Sequence, residues 1–134
     1  GVDVFVIDSL MKMSDISEDN YEAQKIFIDR LATYCRDLDI HVFLVCHTRK
    51  LSDDYTTPDA TNIMGSSHIR NLSDNILLAY RDRSVNERIL EGDEEAKTLP
   101  NAYLYIQKQR NHTWEGRLPL WFNEKSLTYR ENFK

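Results

Sequence analysis

Glycine is scarce in this chain. Four occur in 134 residues, Gly1, Gly65, Gly92 and Gly116. None precedes a Lys-Ser or Lys-Thr pair, so the phosphate-gripping loop G-x-x-x-x-G-K-[ST] is absent. Cysteine is scarcer still. Cys35 and Cys46 each sit in an apolar pattern without metal-ligand spacing. That argues against a zinc site and for buried, reduced thiols in an intracellular protein. No apolar run approaches the roughly 18 residues needed to span a bilayer. The opening "GVDVFVIDSL" lacks the basic start and small-residue cleavage site of a signal peptide. It also lacks a methionine, and a chain that starts inside a strand-like run reads as a fragment or a domain cut from a longer protein. Positive charge is in deficit, with 17 Lys and Arg against 22 Asp and Glu and a net charge of −5. That is a poor electrostatic footprint for a stand-alone nucleic-acid binder. Internal repeats and low-complexity segments are absent too.

What is present is ordinary for one globular domain: 41% hydrophobic and 29% charged residues. The charge is unevenly spread. Residues 14–22 and 81–97 are acidic, whereas 47–50 and 108–117 are basic. The nearly continuous apolar runs "VDVFVID" (2–8) and "IHVFLVCH" (40–47) suit parallel strands buried on both faces. Between them Ile28, Leu31, Cys35 and Leu38 recur at helical spacing, with Ser17 or Asp19 as N-cap. Strand, helix, strand predicts a right-handed βαβ unit.

Residues 48–63 read as a mobile polar loop, and "GSSHIRNLSD" (65–74) as a tight turn followed by a short helix. "NILLAYRDR" (75–83) reads as a third strand. The acidic stretch 84–100 is a second loop with partial helix. "AYLYIQKQRN" (102–111) and "RLPLWFNEKSLTYR" (117–130) read as strands, the latter a terminal hairpin turning at "NEKS". The expected class is α/β, with parallel strands followed by an antiparallel C-terminal hairpin.

Ligands of open α/β sheets gather at the carboxyl ends of the parallel strands, where Asp8 and His47 stand. An Asp there serves to hold Mg²⁺ beside nucleotide phosphates, or merely caps the next helix. A His there donates to a phosphate oxygen, or is satisfied by a backbone carbonyl. His41 reads as structural, and His68 and His112 form no metal-like cluster. Arg49 and Lys50 in "HTRK", with Gly65, Ser66 and Arg70 in "GSSHIRN", supply charge, hydroxyls and a backbone able to approach a phosphate closely. Alternatively they are surface charges around a turn. Lys108 and Arg110 lie two apart, so a strand aims both from one face. The bland explanation is a solvated edge strand whose lysine discourages aggregation.

Taken in order, "VFVIDSL", "VFLVCHTRK", "IMGSSHIRNLSDNILLAYRD" and "IQKQRN…G…LWFNEKSLTY" resemble the later part of the helicase domain of DnaB-like replicative ring helicases, which are RecA-fold motors. The resemblance is nearest to the bifunctional phage primase-helicases and the mitochondrial Twinkle helicase. Those carry His followed by basic residues where DnaB proteins usually carry Gln. It implies a RecA-like P-loop NTPase core of which residues 1–134 are the C-terminal part. The phosphate-binding loop and catalytic glutamate are expected upstream, and the fragment alone is expected to be inactive.

The resemblance also implies roles. Asp8 matches the Walker B aspartate for Mg²⁺, and His47 the γ-phosphate sensor. Arg49 and Lys50 match the start of one DNA-binding loop, and Gly65, Ser66 and Arg70 a second. Asn71 matches a residue coupling that loop to nucleotide. Arg110 matches an arginine finger, and Lys108 its neighbouring lysine, both acting in trans. The implied cofactors are ATP or another NTP with Mg²⁺. The implied partners are single-stranded DNA and further copies in a ring, a hexamer, with no membrane. The implied location is the cytoplasm in a phage or bacterial setting, or else the mitochondrion. Two alternatives stand beside this one: another RecA-fold ATPase, recombinase-like or from plasmid replication, and a non-catalytic, truncated RecA-like interaction module.

Overall fold

The protein is described by a computed structural model covering residues 1–13, 16, 19–51 and 56–132. The capping candidate Ser17 and part of the polar stretch 48–63 lie outside the described residues. The chain divides into two compact units, one formed by 1–50 with 60–73 and the other by 51–59 with 74–134.

In the first unit, β1 (Val4–Asp8) pairs in parallel with β2 (His41–Val45), in register from Val4↔His41 to Asp8↔Val45. The connection is α1 (Tyr21–Asp37), the crossover that parallel strands require. Its N-cap is Asn20, whose side chain accepts a hydrogen bond from Ala23 N–H at 3.1 Å. Asp19 does not fill that place. The apolar stripe of α1 meets Leu10, Ile16 and Ile69 through the buried Ile28, with Phe27, Leu44, Cys46, Ile63 and Leu72 packed around them. Burying an Ile or Leu of this kind contributes about 1.5–3 kcal/mol. Leu38, expected on the stripe, is instead the C-cap and is exposed.

One face of the parallel pair is open among the described residues. Val4, Val6 and Phe43 are 53, 67 and 47% exposed, and His41 lies edge-on to Phe43 at 4.6 Å. The expectation of burial on both faces therefore fails here. On the opposite face Leu44 packs into the core built around Ile28 of α1, although Phe5 there is still 44% exposed. Beyond β2, Thr48 bridges Ile63, and a 3₁₀ turn spans Ala60–Asn62. The polar segment thus closes on a ladder-like base. α2 (Ser67–Leu72) follows the Gly65 turn, with Ser66 as its N-cap.

The second unit is an antiparallel sheet in the order β3-β4-β5-β6: β3 (Asn75–Arg81), β4 (Ala102–Gln109), β5 (Gly116–Asn123) and β6 (Thr128–Arg130). The antiparallel part is therefore larger than a terminal hairpin, because the strand at 75–81 pairs with β4 rather than extending the parallel pair. At "NEKS", Asn123 Oδ1 accepts from Lys125 and Ser126 N–H at 3.1 Å each, closing the β5–β6 turn.

The acidic stretch after β3 is more ordered than a loop. α3 (Arg83–Leu90) starts at Asp82, whose side chain accepts from Ser84 N–H at 3.0 Å. A 3₁₀ turn at Glu95–Thr98 comes next. Arg88 clamps Asp93 through Nε at 2.9 Å and through a second guanidinium nitrogen at 2.6 Å. That bond, more than any other contact, holds the Asp93 carboxyl below its ordinary pKa. The buried apolar residues of this unit are Ile76, Val85, Ala96, Ala102 and Ile106, among the described residues.

Candidate functional site

Two apolar strands run in parallel, so their carboxyl ends come to one edge of the first unit. Asp8 is the last residue of β1, level with Val45, and its carboxylate is exposed. His47 lies two residues past β2. Its side chain is exposed, and its carbonyl accepts from Met64 N–H at 2.8 Å. That bond, with Arg49 N–H to the Asn62 carbonyl at 2.7 Å, draws the segments 47–50 and 62–66 together. Asp8 is followed by Ser9, whose buried hydroxyl has no hydrogen-bond partner among the described residues.

No group of three or more His, Cys, Asp or Glu able to hold a metal occurs among the described residues. A lone exposed carboxylate fits Mg²⁺, which keeps several waters and leans on phosphate oxygens. It does not fit zinc, which needs a set of protein ligands.

The turn at Gly65 has a physical cause. Its φ is +103°, where only glycine is comfortable. A Cβ there would also lie 2.5 Å from Gln24 Oε1. Gln24 is fully buried, and that oxygen accepts the Ser66 N–H at 2.6 Å. Ser66 Oγ in turn accepts from His68 N–H at 3.2 Å, starting α2. Sequence reading missed Gln24, because a glutamine on a helix defaults to the solvent face. The available signal was its spacing of four from Ile28, which puts it on the apolar stripe.

Arg49, Gly65 and Ser66 line one cleft of about 480 Å³, and Lys50 and Arg70 are not in its lining. Arg70 and Asn71 both stand on α2; Arg70 is half-buried and Asn71 exposed, and both have polar partners.

The remaining pair belongs to the second unit. Lys108 is half-buried in β4 opposite Ile76, next to a bulge where Gln107 is the extra residue. β4 ends at Gln109, but Arg110 N–H still donates to the Asp74 carbonyl at 2.9 Å, so the ladder runs one step further. The Arg110 guanidinium pairs with the Asp74 carboxylate at 2.8 Å, both side chains being more than half exposed. The loop beyond is braced by Gln109 Nε2 donating to the Trp114 carbonyl at 2.9 Å. Gly116 lies under the Trp114 ring, where a Cβ would come within 2.9 Å. Lys108 and Arg110 thus stand in a different unit from Asp8, His47, Asn71 and the basic loop residues.

Two comparisons with known proteins bear on the fold. A family model described as an AAA domain matches residues 1–53, which contain β1, α1, β2 and His47. A solved structure reported as "The Structure Of A DnaB-Like Replicative Helicase And Its Interactions With Primase" is similar in fold over 90% of the chain. Its TM-score is 0.66 at 19% sequence identity. The chain spans 28% of the length of that helicase chain. No match was found among curated proteins. The fold is therefore similar to that of a segment of that helicase chain, a mixed α/β arrangement with one parallel and one antiparallel sheet. Among the described residues, no helix is long and apolar enough to cross a membrane.

Proposed function

We propose that the chain is the C-terminal part of a RecA-like ATPase domain in a DnaB-like replicative ring helicase of the phage primase-helicase or Twinkle type. On this reading it works in a hexamer that translocates on single-stranded DNA and unwinds the duplex at a fork, in a phage, bacterial or mitochondrial setting. The observation that carries the reading is Asp8 and His47 at one end of a parallel strand pair, within a fold like that of a DnaB-like helicase over nine-tenths of the chain.

The roles follow from chemistry. Asp8 would hold Mg²⁺, directly or through water, beside the phosphates of ATP or another NTP. The cation, when bound, neutralises charge on phosphate oxygens. His47 would donate to the γ-phosphate and register its loss. Asn71, on the helix after the Gly65 turn, couples that turn to the nucleotide. Arg49, Lys50, Gly65, Ser66 and Arg70 contact the DNA backbone without reading sequence. Arg110, seconded by Lys108, serves the nucleotide bound by the next subunit, where it stabilises charge that develops only in the transition state.

The test is hydrolysis of ATP by the intact protein with and without single-stranded DNA, together with strand separation of a forked duplex. DNA-stimulated turnover with unwinding is expected. Turnover without unwinding would leave another RecA-fold ATPase, which the AAA-domain match also fits. No turnover by the intact protein would leave a non-catalytic module.

A further inference from the structure

The cleft beside the Gln24–Ser66 bond contains residues outside those roles. It opens between the first turns of α1 and the 65–68 turn, and is lined by Tyr21, Glu22, Lys25, Arg49, Ser66 and His68 among others. Two fixed cations and one imidazole face a single carboxylate, so the lining is net positive in a chain whose overall charge is −5. Among the described residues, no side-chain ion pair or hydrogen bond occupies Lys25, Arg49 or His68. Tyr21, in the same lining, is 53% exposed. The wall is also stiff. Its backbone is pinned by a fully buried amide, and its one glycine admits no side chain. Such rigidity lowers the ordering cost of a ligand.

We infer that this cleft seats a phosphodiester of a single-stranded nucleic acid, with Lys25 and His68 joining Arg49 on the phosphate and Tyr21 offering its ring to a base. The chemistry fits. A cationic groove with an interleaved aromatic is how single strands are held without sequence preference. Glu22, also in the lining, repels a small free anion, whereas a strand with several phosphates has further attachments to offset that repulsion. Gln24 is a positioning residue, acting through the Ser66 backbone rather than by contact. The inference rests on the reading of the 65–70 segment as DNA-facing, and adds α1 to that surface.

The experiment uses the intact protein and a fluorescent oligothymidylate, titrated at several salt concentrations. Removing one phosphate contact reduces the slope of log affinity against log salt by about 0.7. Lys25→Ala is expected to weaken binding about three- to tenfold and to flatten the slope by that amount, whereas Lys25→Arg keeps both. His68→Ala and Tyr21→Ala are expected to weaken binding less, the latter without changing the slope. Arg70→Ala, outside the cleft, reports on the wider reading. If Arg70→Ala weakens binding while Lys25→Ala leaves affinity and slope unchanged, the cleft is not a phosphate seat and the wider reading survives. If neither substitution matters, both fail together. Inorganic phosphate serves as competitor: displacement of the oligomer from the wild type at millimolar phosphate, but not from Lys25→Ala, would identify a free-anion site and overturn the assignment to a strand.

Discussion

The first unit and the second unit hold their functional candidates in opposite ways. In the first, the residues of interest sit on segments distant in sequence, and a single buried amide locks two of those segments together. Ser66 reaches back 42 positions to Gln24. In the second, Lys108 and Arg110 hang on a ladder of neighbouring strands, and Arg110 is steadied by an exposed ion pair at the ladder's end. The difference is one of stakes. A buried polar contact is costly to break, because it leaves a donor without a partner. An exposed ion pair contributes little and lets go readily. A loop that must hold one shape suits the first device, and a side chain that must leave for another partner suits the second.

The contrast is broken or sharpened most by Arg110→Ala in the intact protein. Turnover is expected to fall by about 10³ to 10⁵ with ATP binding nearly unchanged, as for an arginine finger. On the proposed ring assembly, mixing Arg110→Ala with Asp8→Ala subunits is expected to restore some hydrolysis, because the second would lend its Arg110 to a neighbour with intact Asp8. Steady-state kinetics at varied mixing ratios checks this. A lowered melting temperature with turnover intact would reduce Arg110 to a sheet-edge charge.

Next comes Gly65→Ala, which is expected to destabilise the first unit by about 1–3 kcal/mol through its backbone strain alone. The clash with Gln24 adds to it. Denaturant unfolding of Gly65→Ala, Gln24→Ala and the double variant should be less than additive, because the second substitution removes what the first collides with. Full additivity would mean that the latch does not shape the turn.

Cys46 supplies a smaller effect with a definite sign. Burial pushes its thiol from 9.0 up to about 11. The unfolded chain ionises near 9 and the folded protein near 11, so the associated stability is present below pH 9 and lost as pH rises through 11. At about pH 8, where thiolate rather than thiol reacts, alkylation of Cys46 by iodoacetamide should be slower in the native protein than in urea, as read by peptide mass. Equal rates would show that the site is open.

Smallest of all, Asp74→Asn should cost less than about 1 kcal/mol in unfolding experiments. A larger effect would mean that the ion pair is structural and that the two units are not so different.

Much of the architecture was legible because it is written in local periodicity. The runs at 2–8 and 40–47, the stripe of α1 and the "NEKS" turn each carry their own pattern. α3 was half missed because its apolar content is slight, with Val85 its one buried residue. Asp82, two residues before Ser84, is the capping residue that could have marked its start. The antiparallel partner of β3 was not readable, because strand composition does not specify which neighbour a strand will choose. For the site, strand-end residues could be found from position alone. The Gln24 latch and the Asp74–Arg110 pair could not, since both join residues separated by 36 positions or more. Lys25 and His68 share that difficulty, as nothing in a linear pattern says that the first turns of a helix will face a loop about 40 residues on.

The open face of the parallel pair has a consequence for anyone handling the 134-residue chain in a tube. Val4, Val6, Phe43 and Val45 present apolar side chains to water, and among the described residues only one edge of each strand is engaged, by its partner strand. Unpaired strand edges beside an apolar surface are templates for other chains. The chain by itself should therefore bind hydrophobic dyes and sediment as concentration-dependent aggregates. Polar substitutions at Val6 and Phe43 should restore dispersity without touching Asp8, whose side chain shares that face of β1 one step closer to the strand's end.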